Sequence, residues 1–247
     1  MVAQTQTFAF VGIEAIAVAV QVKITSGNPS FTIVGLPDKA VGESKERVRA
    51  AISSTGLAWP FQKITVNLAP ADLQKEGGHF DLAIAIGIMI EIGVLSQELV
   101  KNYFIIGELG LDGSVHLVSG VISSAISANQ RGCGLICPQK NGREAVWSGN
   151  PQIIATSSII ELINHLKSEQ IIARPDLFNI SNEVENEKYP DLFVSQYERV
   201  TFSTRDYAEA LAFGELNDRV LEAIIQNKWE EKLDDRGFVE TLFLDHK

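Results

Sequence analysis

The segment Lys75-Glu76-Gly77-Gly78-His79-Phe80-Asp81 holds residue types and spacings typical of an active-site entrance. Two adjacent glycines allow a sharp turn before a long apolar run, and a helix N-terminus at such a turn can attract an anion. Asp72 could contribute to the same entrance. The residues that could form a polar mouth are Lys75, Glu76, Gly77, Gly78, His79 and Asp81.

Structural roles account for the same residues more simply. His79 and Asp81 are two positions apart at the start of a predicted helix, so they do not share a helix face. A carboxylate in the first turn is a favourable charge at the positive end of the helix dipole, which explains Asp81. The glycine pair favours a tight turn over a phosphate cradle. We therefore expect a structural turn here.

Strands and helices alternate on both sides of this turn, which predicts a mixed α/β (α+β) body over residues 1–173. Helix 38–55 places Val41, Val48 and Ile52 on a buried face. We expect its cations, Lys45, Arg47 and Arg49, to form a solvated face, although they could meet a partner. The predicted strands lie within 8–24, 31–36, 63–70, 104–109, 113–118, 133–138 and 152–156, and the predicted helices are 38–55, 80–93, 121–130, 143–146 and 158–169.

The negative charge is concentrated in the last third of the sequence. Residues 1–175 carry 13 Lys and Arg against 14 Asp and Glu, whereas residues 176–247 carry 8 against 17. Nucleic acid binding needs local positive charge, so we expect this chain to make no direct nucleic acid contact.

Composition also limits the class and the compartment. No apolar stretch is long enough to span a bilayer and the N-terminus lacks a basic signal-peptide start, so we expect a soluble cytoplasmic protein without membrane contact. Two cysteines, Cys133 and Cys137, cannot build a disulfide framework and are expected to be small core residues of a strand. We expect no structural zinc, because no second cysteine pair exists, and no other cofactor.

The C-terminal third divides into an acidic linker at 174–198 and a small helical extension at 199–247. Ser203 and Asp206 are spaced like a capping box at a helix start. An amphipathic helix is then predicted up to about Trp229, with an apolar stripe of Leu216, Val220, Leu221, Ile224 and Ile225. Such a unit is too small to bury its apolar face alone, so it should dock on the body or on another protein.

Three ordered segments carry a resemblance to a known family: FTIVGLPDKAVGESKERVRAAISSTG at 31–56, ITVNLAPADLQKEGGHFDLAIAIGI at 64–88 and GELGLDGSVHLVSGV at 107–121. They closely resemble the N-terminal domain of the magnesium-chelatase-like AAA+ proteins of the ComM/YifB type. The resemblance implies a fold similar to the Lon protease domain, placed ahead of an ATPase motor. In ComM-type proteins that motor is associated with hexameric branch migration of DNA during natural transformation.

The same resemblance implies that the Lon-type catalytic dyad is lost. Lon-type proteases use a serine in a Lys-Asp-Gly-Pro-Ser-Ala-Gly stretch and a lysine in a later helix. Alignment with these stretches places His79 at the serine position and Ile122 at the lysine position. Isoleucine has no proton to exchange, so we expect no catalytic residue here. A residual hydrolase using Ser119, Ser123 or Ser124 is the enzymatic alternative.

The nucleotide-binding part of the family pattern is also missing. The sequence contains no Gly-Lys dipeptide, and only Gly214 and Gly237 follow residue 150, so it holds no Walker A loop. The leading hypothesis is a non-catalytic, pseudo-protease-like domain that binds a protein partner or an AAA+ motor supplied elsewhere, as a monomer or weak oligomer. The other alternative is a truncated remnant of a longer ATP-binding, DNA-processing protein.

Overall fold

The computed structural model describes residues 2–175 and three short strands further along the chain, at 199–200, 229–233 and 239–244. The chain forms two compact units, Met1–Leu177 and Phe178–Lys247. Within the described residues, no helix is long and apolar enough to cross a membrane.

The first unit contains nine strands and five α-helices. The strands are β1 Ala3–Val11, β2 Glu14–Thr25, β3 Ser30–Val34, β4 Lys63–Ala69, β5 Tyr103–Ile105, β6 Glu108–Leu109, β7 Val115–His116, β8 Gly134–Pro138 and β9 Ile153–Thr156. The helices are α1 Lys39–Ser54, α2 Asp81–Glu91, α3 Val121–Gln130, α4 Gly142–Val146 and α5 Ile159–Leu166. Single 3₁₀ turns lie at Gly78–Phe80, Gln97–Leu99 and Gln139–Asn141.

Seven of the strands form one mixed sheet in the order β3-β4-β2-β1-β5-β8-β9. Strand β2 pairs antiparallel with both β1 and β4, whereas the other neighbouring pairs are parallel. Strands β6 and β7 form a separate hairpin. The mixed α+β class predicted from the alternation of elements is therefore confirmed.

Each face of the sheet has its own core, because successive strand residues point to opposite faces. Ala9 of β1 belongs to the core that contains α2 and α5, whereas Phe8 belongs to the core that contains α3 and α4. Helix α2 is buried on nearly all sides, from Asp81 to Met89.

The predicted helices match the observed ones closely because their start signals are local. The side chain of Asp38 accepts a hydrogen bond from the Val41 amide at the start of α1, and Ser158 caps α5 in the same way. Cys137 is buried in β8, where burial raises its pKa to about 12. Cys133 is half-buried and precedes that strand.

The second unit contains strands that the sequence analysis did not predict. Arg199–Val200, Trp229–Leu233 and Val239–Leu244 are β10, β11 and β12, and they form an antiparallel sheet in the order β10-β12-β11. The extension is thus not purely helical, because the β-branched and aromatic residues of VETLFL favour a strand. The predicted capping box and apolar stripe fall outside the described residues.

Candidate functional site

The glycine turn is fastened to the start of helix α1. Gly77 adopts φ +90°, a conformation that glycine tolerates and other residues avoid. Asp38 is both the cap of α1 and the partner of this turn: its amide donates to the Lys75 carbonyl at 2.9 Å, and its carboxylate accepts from the Gly77 amide at 3.4 Å. The turn therefore shares its hydrogen bonds with α1.

His79 is buried, with only 7% of its surface exposed, and its ring is held by the sheet. Nε2 lies 2.8 Å from the carbonyl oxygen of Phe8, and because a carbonyl only accepts, Nε2 carries the proton. The ring also contacts the rings of Phe10 and Phe80. Burial lowers the pKa of His79, and the Phe8 hydrogen bond only partly opposes this effect. The imidazole is thus a neutral donor committed to the backbone.

Asp81 is fully buried and pairs with Arg47 of helix α1. Its two carboxylate oxygens accept from Nε of Arg47 at 2.6 Å and from a terminal guanidinium nitrogen at 3.1 Å, and one of them also accepts from the Leu109 amide at 3.2 Å. The hydrogen bond to Asp81 raises the pKa of Arg47. Such a bidentate pair fixes α1 to the start of α2. The expectation that Arg47 belongs to a solvated face was wrong.

Lys75 is fully buried, which is rare for lysine. Its ammonium group donates to the carbonyl of Pro70, and its backbone amide donates to the Leu36 carbonyl at 3.2 Å. Burial lowers the pKa of Lys75, whereas the Asp72 carboxylate acts in the opposite direction. Lys75 therefore braces the loop between β4 and the glycine turn.

The remaining residues of the expected polar mouth are more open. Glu76 and Asp72 are exposed. Gly78 is half-buried, and a Cβ on it would lie 2.4 Å from a carboxylate oxygen of Glu108. Glu108, which the sequence analysis did not select, therefore lies directly against the glycine turn. The structure places Lys75 and Gly77 in the loop before α2, Gly78 and His79 in the 3₁₀ turn and Asp81 at the first position of α2, whereas Glu76 is exposed.

Ile122, at the position aligned with the Lon-type lysine, is half-buried near the start of α3. The ring of Phe10 lies near His79 and also near Gly120, two positions before Ile122. The Phe10 ring centroid lies 5.1 Å from that of His79, and a Cβ on Gly120 would lie 2.5 Å from the tip of the Phe10 ring. Gly120 has φ +80°, so glycine is required there both for conformation and for space.

The three serines of the hydrolase alternative differ in burial. Ser119 is exposed, Ser123 is half-buried and Ser124 is fully buried. The Ser124 hydroxyl has no hydrogen-bond partner within the described structure. Across residues 2–175, no hydrogen bond joins any of these hydroxyls to a histidine or a carboxylate, which is the arrangement that a serine nucleophile needs.

A different serine does contact an acid and a histidine. On the β6–β7 hairpin, the Ser114 hydroxyl lies 2.6 Å from Asp112 and 2.9 Å from Nε2 of His116. The hydrogen bonds from Ser114 lower the pKa of Asp112. Because the hydroxyl proton goes to Asp112, the hydroxyl can only accept from His116, and the imidazole is not placed as its base. The cluster is exposed and stabilises the hairpin turn.

Comparison with known proteins finds a family match for the part of the chain that contains the glycine turn. Residues 20–141 match the family model described as "Subunit ChlI of Mg-chelatase". The chain carries a domain of the magnesium-chelatase ChlI family. The resemblance derived from the three sequence segments is thereby confirmed. The ChlI match includes the glycine turn, Arg47 and Ile122, whereas Phe8 and Phe10 precede the matched residues.

Relatives of the ChlI-family domain are similar over two thirds of the chain. Competence protein ComM of Haemophilus influenzae is 37% identical over 162 residues, which cover 66% of this chain and 32% of that protein. An uncharacterized protein YifB of Salmonella typhimurium is 41% identical over 169 residues, covering 68% and 33%. The chain thus spans about a third of the length of these curated relatives.

A short match of a different kind also occurs. Kynurenine 3-monooxygenase of Flavobacterium psychrophilum is 44% identical over 48 residues, covering 17% of this chain and 11% of that enzyme. A match of this length assigns no family.

Sequence reasoning missed the contacts that Arg47, Glu108 and Phe10 make at the ChlI-family site. Arg47 could have been suspected, because it borders the buried stripe of α1 at Ser44, Val48 and Ala51. Phe10 had no such signal, since its contact with His79 joins residues far apart in sequence. Residues 2–175 contain no cluster of three or more His, Cys, Asp or Glu side chains suited to a metal ion.

Proposed function

We propose that this ChlI-family domain is a non-catalytic, pseudo-protease-like interaction domain. This proposal rests on the residues that occupy the two positions aligned with the Lon-type dyad. The histidine at the first position commits its proton to the Phe8 carbonyl, and the second position holds the apolar Ile122. The Phe10 ring lies next to both His79 and Gly120, the residue that precedes helix α3.

The polar side chains around the glycine turn already have hydrogen-bond partners within the chain, which supports a structural role for the turn. The Asp81 carboxylate, the Lys75 ammonium and the Asp38 carboxylate all bind groups of the same chain. A catalytic group must instead face a substrate with free bonding capacity. We infer that the turn positions elements for binding a partner rather than for turnover.

The name of the ComM relative supports a role in competence. We infer that this chain acts as an accessory part of a DNA-processing assembly for recombination or natural transformation in the cytoplasm, with a protein partner or an AAA+ motor supplied elsewhere. Residues 1–175 are almost neutral and residues 176–247 are strongly acidic, so DNA contact would belong to other components. We further propose that the chain is a monomer or a weak oligomer.

Three measurements on the purified 247-residue chain test this proposal together. A fluorophosphonate probe should leave the intact mass unchanged, and ATP hydrolysis should not exceed that of a mock purification. Calorimetry should detect binding to the part of Haemophilus influenzae ComM outside the matched third. A probe adduct that Ser119→Ala, Ser123→Ala or Ser124→Ala abolishes would establish the hydrolase instead. Absence of binding to the ComM portion would overturn the partner role.

A further inference from the structure

The two edge strands of the seven-stranded sheet differ in how far their residues are buried. At one edge, all four residues of β9 are buried. At the other edge, Ser30, Thr32 and Val34 of β3 are exposed. Strand β3 pairs only with β4 among the described strands, so one side of its backbone has no strand neighbour. Within the described residues, both faces of β9 are thus covered, whereas β3 has one exposed face and a backbone side without a strand neighbour.

The five residues of strand β3 include none of the charged or proline residues that protect an edge, and Pro29 directly precedes them. The strand sequence, SFTIV, is rich in β-branched and aromatic residues. Natural edge strands usually carry lysine, proline or a bulge that blocks pairing with another chain. An edge of this composition is a template for strand addition.

An aromatic groove of about 210 Å³ lies beside this strand. Phe31 and Trp59 form its apolar wall, with ring centroids 5.5 Å apart. Phe61 lies at its rim with 81% of its surface exposed. Exposed aromatic side chains at a concave surface are characteristic of binding anchors. We call this concavity, together with the open side of β3, the β3 groove.

The charged residues of the β3 groove come from helix α1. Lys45 and Arg49 line it together with Glu46. Neither cation forms an ion pair within residues 2–175, in contrast to Arg47 on the same helix. Lys45 and Arg49 are four positions apart, so they share one face of α1. Two unpaired cations against one carboxylate give the groove a positive character.

We propose that the β3 groove binds an extended acidic segment of a partner protein by strand addition. The partner backbone would pair with β3, an apolar or aromatic side chain would enter between Trp59 and Phe61, and flanking carboxylates would meet Lys45 and Arg49. This inference rests on the proposed interaction function and specifies the surface and the chemistry of the partner. It needs no residue of the glycine turn.

A synthetic peptide provides the first test. The probe is acetyl-Asp-Glu-Val-Phe-Val-Glu-Asp-amide, titrated calorimetrically into the full chain. We expect saturable binding that weakens at least about tenfold in Lys45→Glu/Arg49→Glu and about fivefold in Phe61→Ala. Lys140→Glu and Trp147→Ala, which are exposed residues outside the groove, serve as matched controls and should bind as wild type. No binding, or equal losses in the control variants, would overturn the inference.

Peptides with methylated backbone nitrogens test strand addition itself. A strand that pairs along one side uses the N–H groups of alternate residues only. Methylation of one alternate set should therefore abolish binding, whereas methylation of the other set should leave it nearly unchanged. If both methylated peptides bind like the parent, the edge is not used and the inference is wrong.

Three further outcomes would each decide between this inference, a second copy in the groove and the proposed partner. If sedimentation shows a dimer that Phe61→Ala dissolves, a second copy occupies the groove and the inference is overturned. If the acidic peptide fails to bind but the chain still binds the ComM portion, the inference fails and the proposed function stands. If the peptide binds as predicted but the ComM portion does not, the groove stands and the proposed partner is wrong.

Discussion

Helix α1 takes part in both the glycine turn and the β3 groove, and its cations behave differently in the two regions. Arg47 forms a bidentate pair with the buried Asp81, whereas Lys45 and Arg49 line the groove and form no ion pair in the described part of the chain. Because residues two apart lie on nearly opposite helix faces, α1 directs Arg47 to Asp81 and the other two to the groove. Residue type alone therefore does not distinguish a structural cation from one available to a partner.

The wider contrast between the two regions follows the same logic. The side chains of Lys75, His79 and Asp81 at the turn suggest chemistry, yet all three are hydrogen-bonded within the chain. The groove combines serine, threonine, valine, aromatic and charged residues, and within the described part of the chain it offers the exposed ring of Phe61 and a strand edge without a strand neighbour. Unused bonding capacity, rather than reactive residue types, indicates where this molecule meets another.

Breaking the Arg47–Asp81 pair should have the largest effect on stability. Asp81→Asn removes the charge that compensates Arg47, whose side chain is only 20% exposed, and we expect a loss of about 3 kcal/mol in the free energy of unfolding. Urea denaturation would measure it. Glu43→Gln is the matched control, because its pair with Lys39 is exposed, and it should cost less than about 0.5 kcal/mol. Similar losses of stability in both variants would show that the buried Arg47–Asp81 pair contributes no more than the exposed Lys39–Glu43 pair.

Removal of the Phe10 ring should have the next largest effect. Phe10→Ala leaves a cavity beside His79 and Gly120, and since Phe10 is half-buried we expect a loss of about 2 kcal/mol, below the range for a fully buried phenylalanine. The neighbouring Val11 is exposed, so Val11→Ala should change stability little. If the two substitutions cost the same in urea denaturation, Phe10 does not fill the space next to the turn.

The buried histidine predicts a pH dependence of stability with a definite sign. Burial lowers the pKa of His79 in the folded chain, so near pH 6 the unfolded chain binds more protons, and stability should fall as pH drops below about 6.5. The slope is at most about 1.4 kcal/mol per pH unit for each such histidine. The loss ends below the folded-state pKa, where both states are protonated.

Denaturation at pH 7.5 and 5.5 checks this dependence in the wild type and in His79→Gln, which keeps an N–H donor for the Phe8 carbonyl. The variant should lose less stability between these pH values than the wild type. His165 also has a pKa lowered by burial, so His165→Gln should remove a separate part of the slope. An unchanged slope in His79→Gln would show that His79 accepts its proton equally well in both states.

Local signals made much of the fold predictable. Asp38 and Ser158 cap helices where the sequence places them, and the apolar periodicity of α1 and α3 gives their extents. The order of the strands was not predictable, because pairing joins β3 to β4 across the whole of α1. The open edge at β3 therefore becomes visible only in the assembled sheet.

The candidate site shows the same division between local and distant information. The turn geometry of Gly77 follows from its neighbours in sequence, and the ChlI resemblance located the two positions aligned with the Lon-type dyad. The partners that determine their state come from distant residues: Arg47 is 34 positions from Asp81, and Phe8 is 71 positions from His79. No periodicity or spacing rule connects residues so far apart.

The smallest effect on stability is expected at the β3 groove, and it is the most informative part of the contrast. Because Phe61 is mostly exposed, Phe61→Ala should change the free energy of unfolding by no more than about 0.5 kcal/mol, and Lys45→Glu/Arg49→Glu should also leave it nearly unchanged. These variants should nevertheless lose acidic-peptide binding, whereas Asp81→Asn at a temperature where it stays folded should retain it. A stability loss at Phe61 comparable to that at Asp81 would mean that the groove is part of the structural core. Effects on stability and effects on binding would then no longer separate between the glycine turn and the β3 groove.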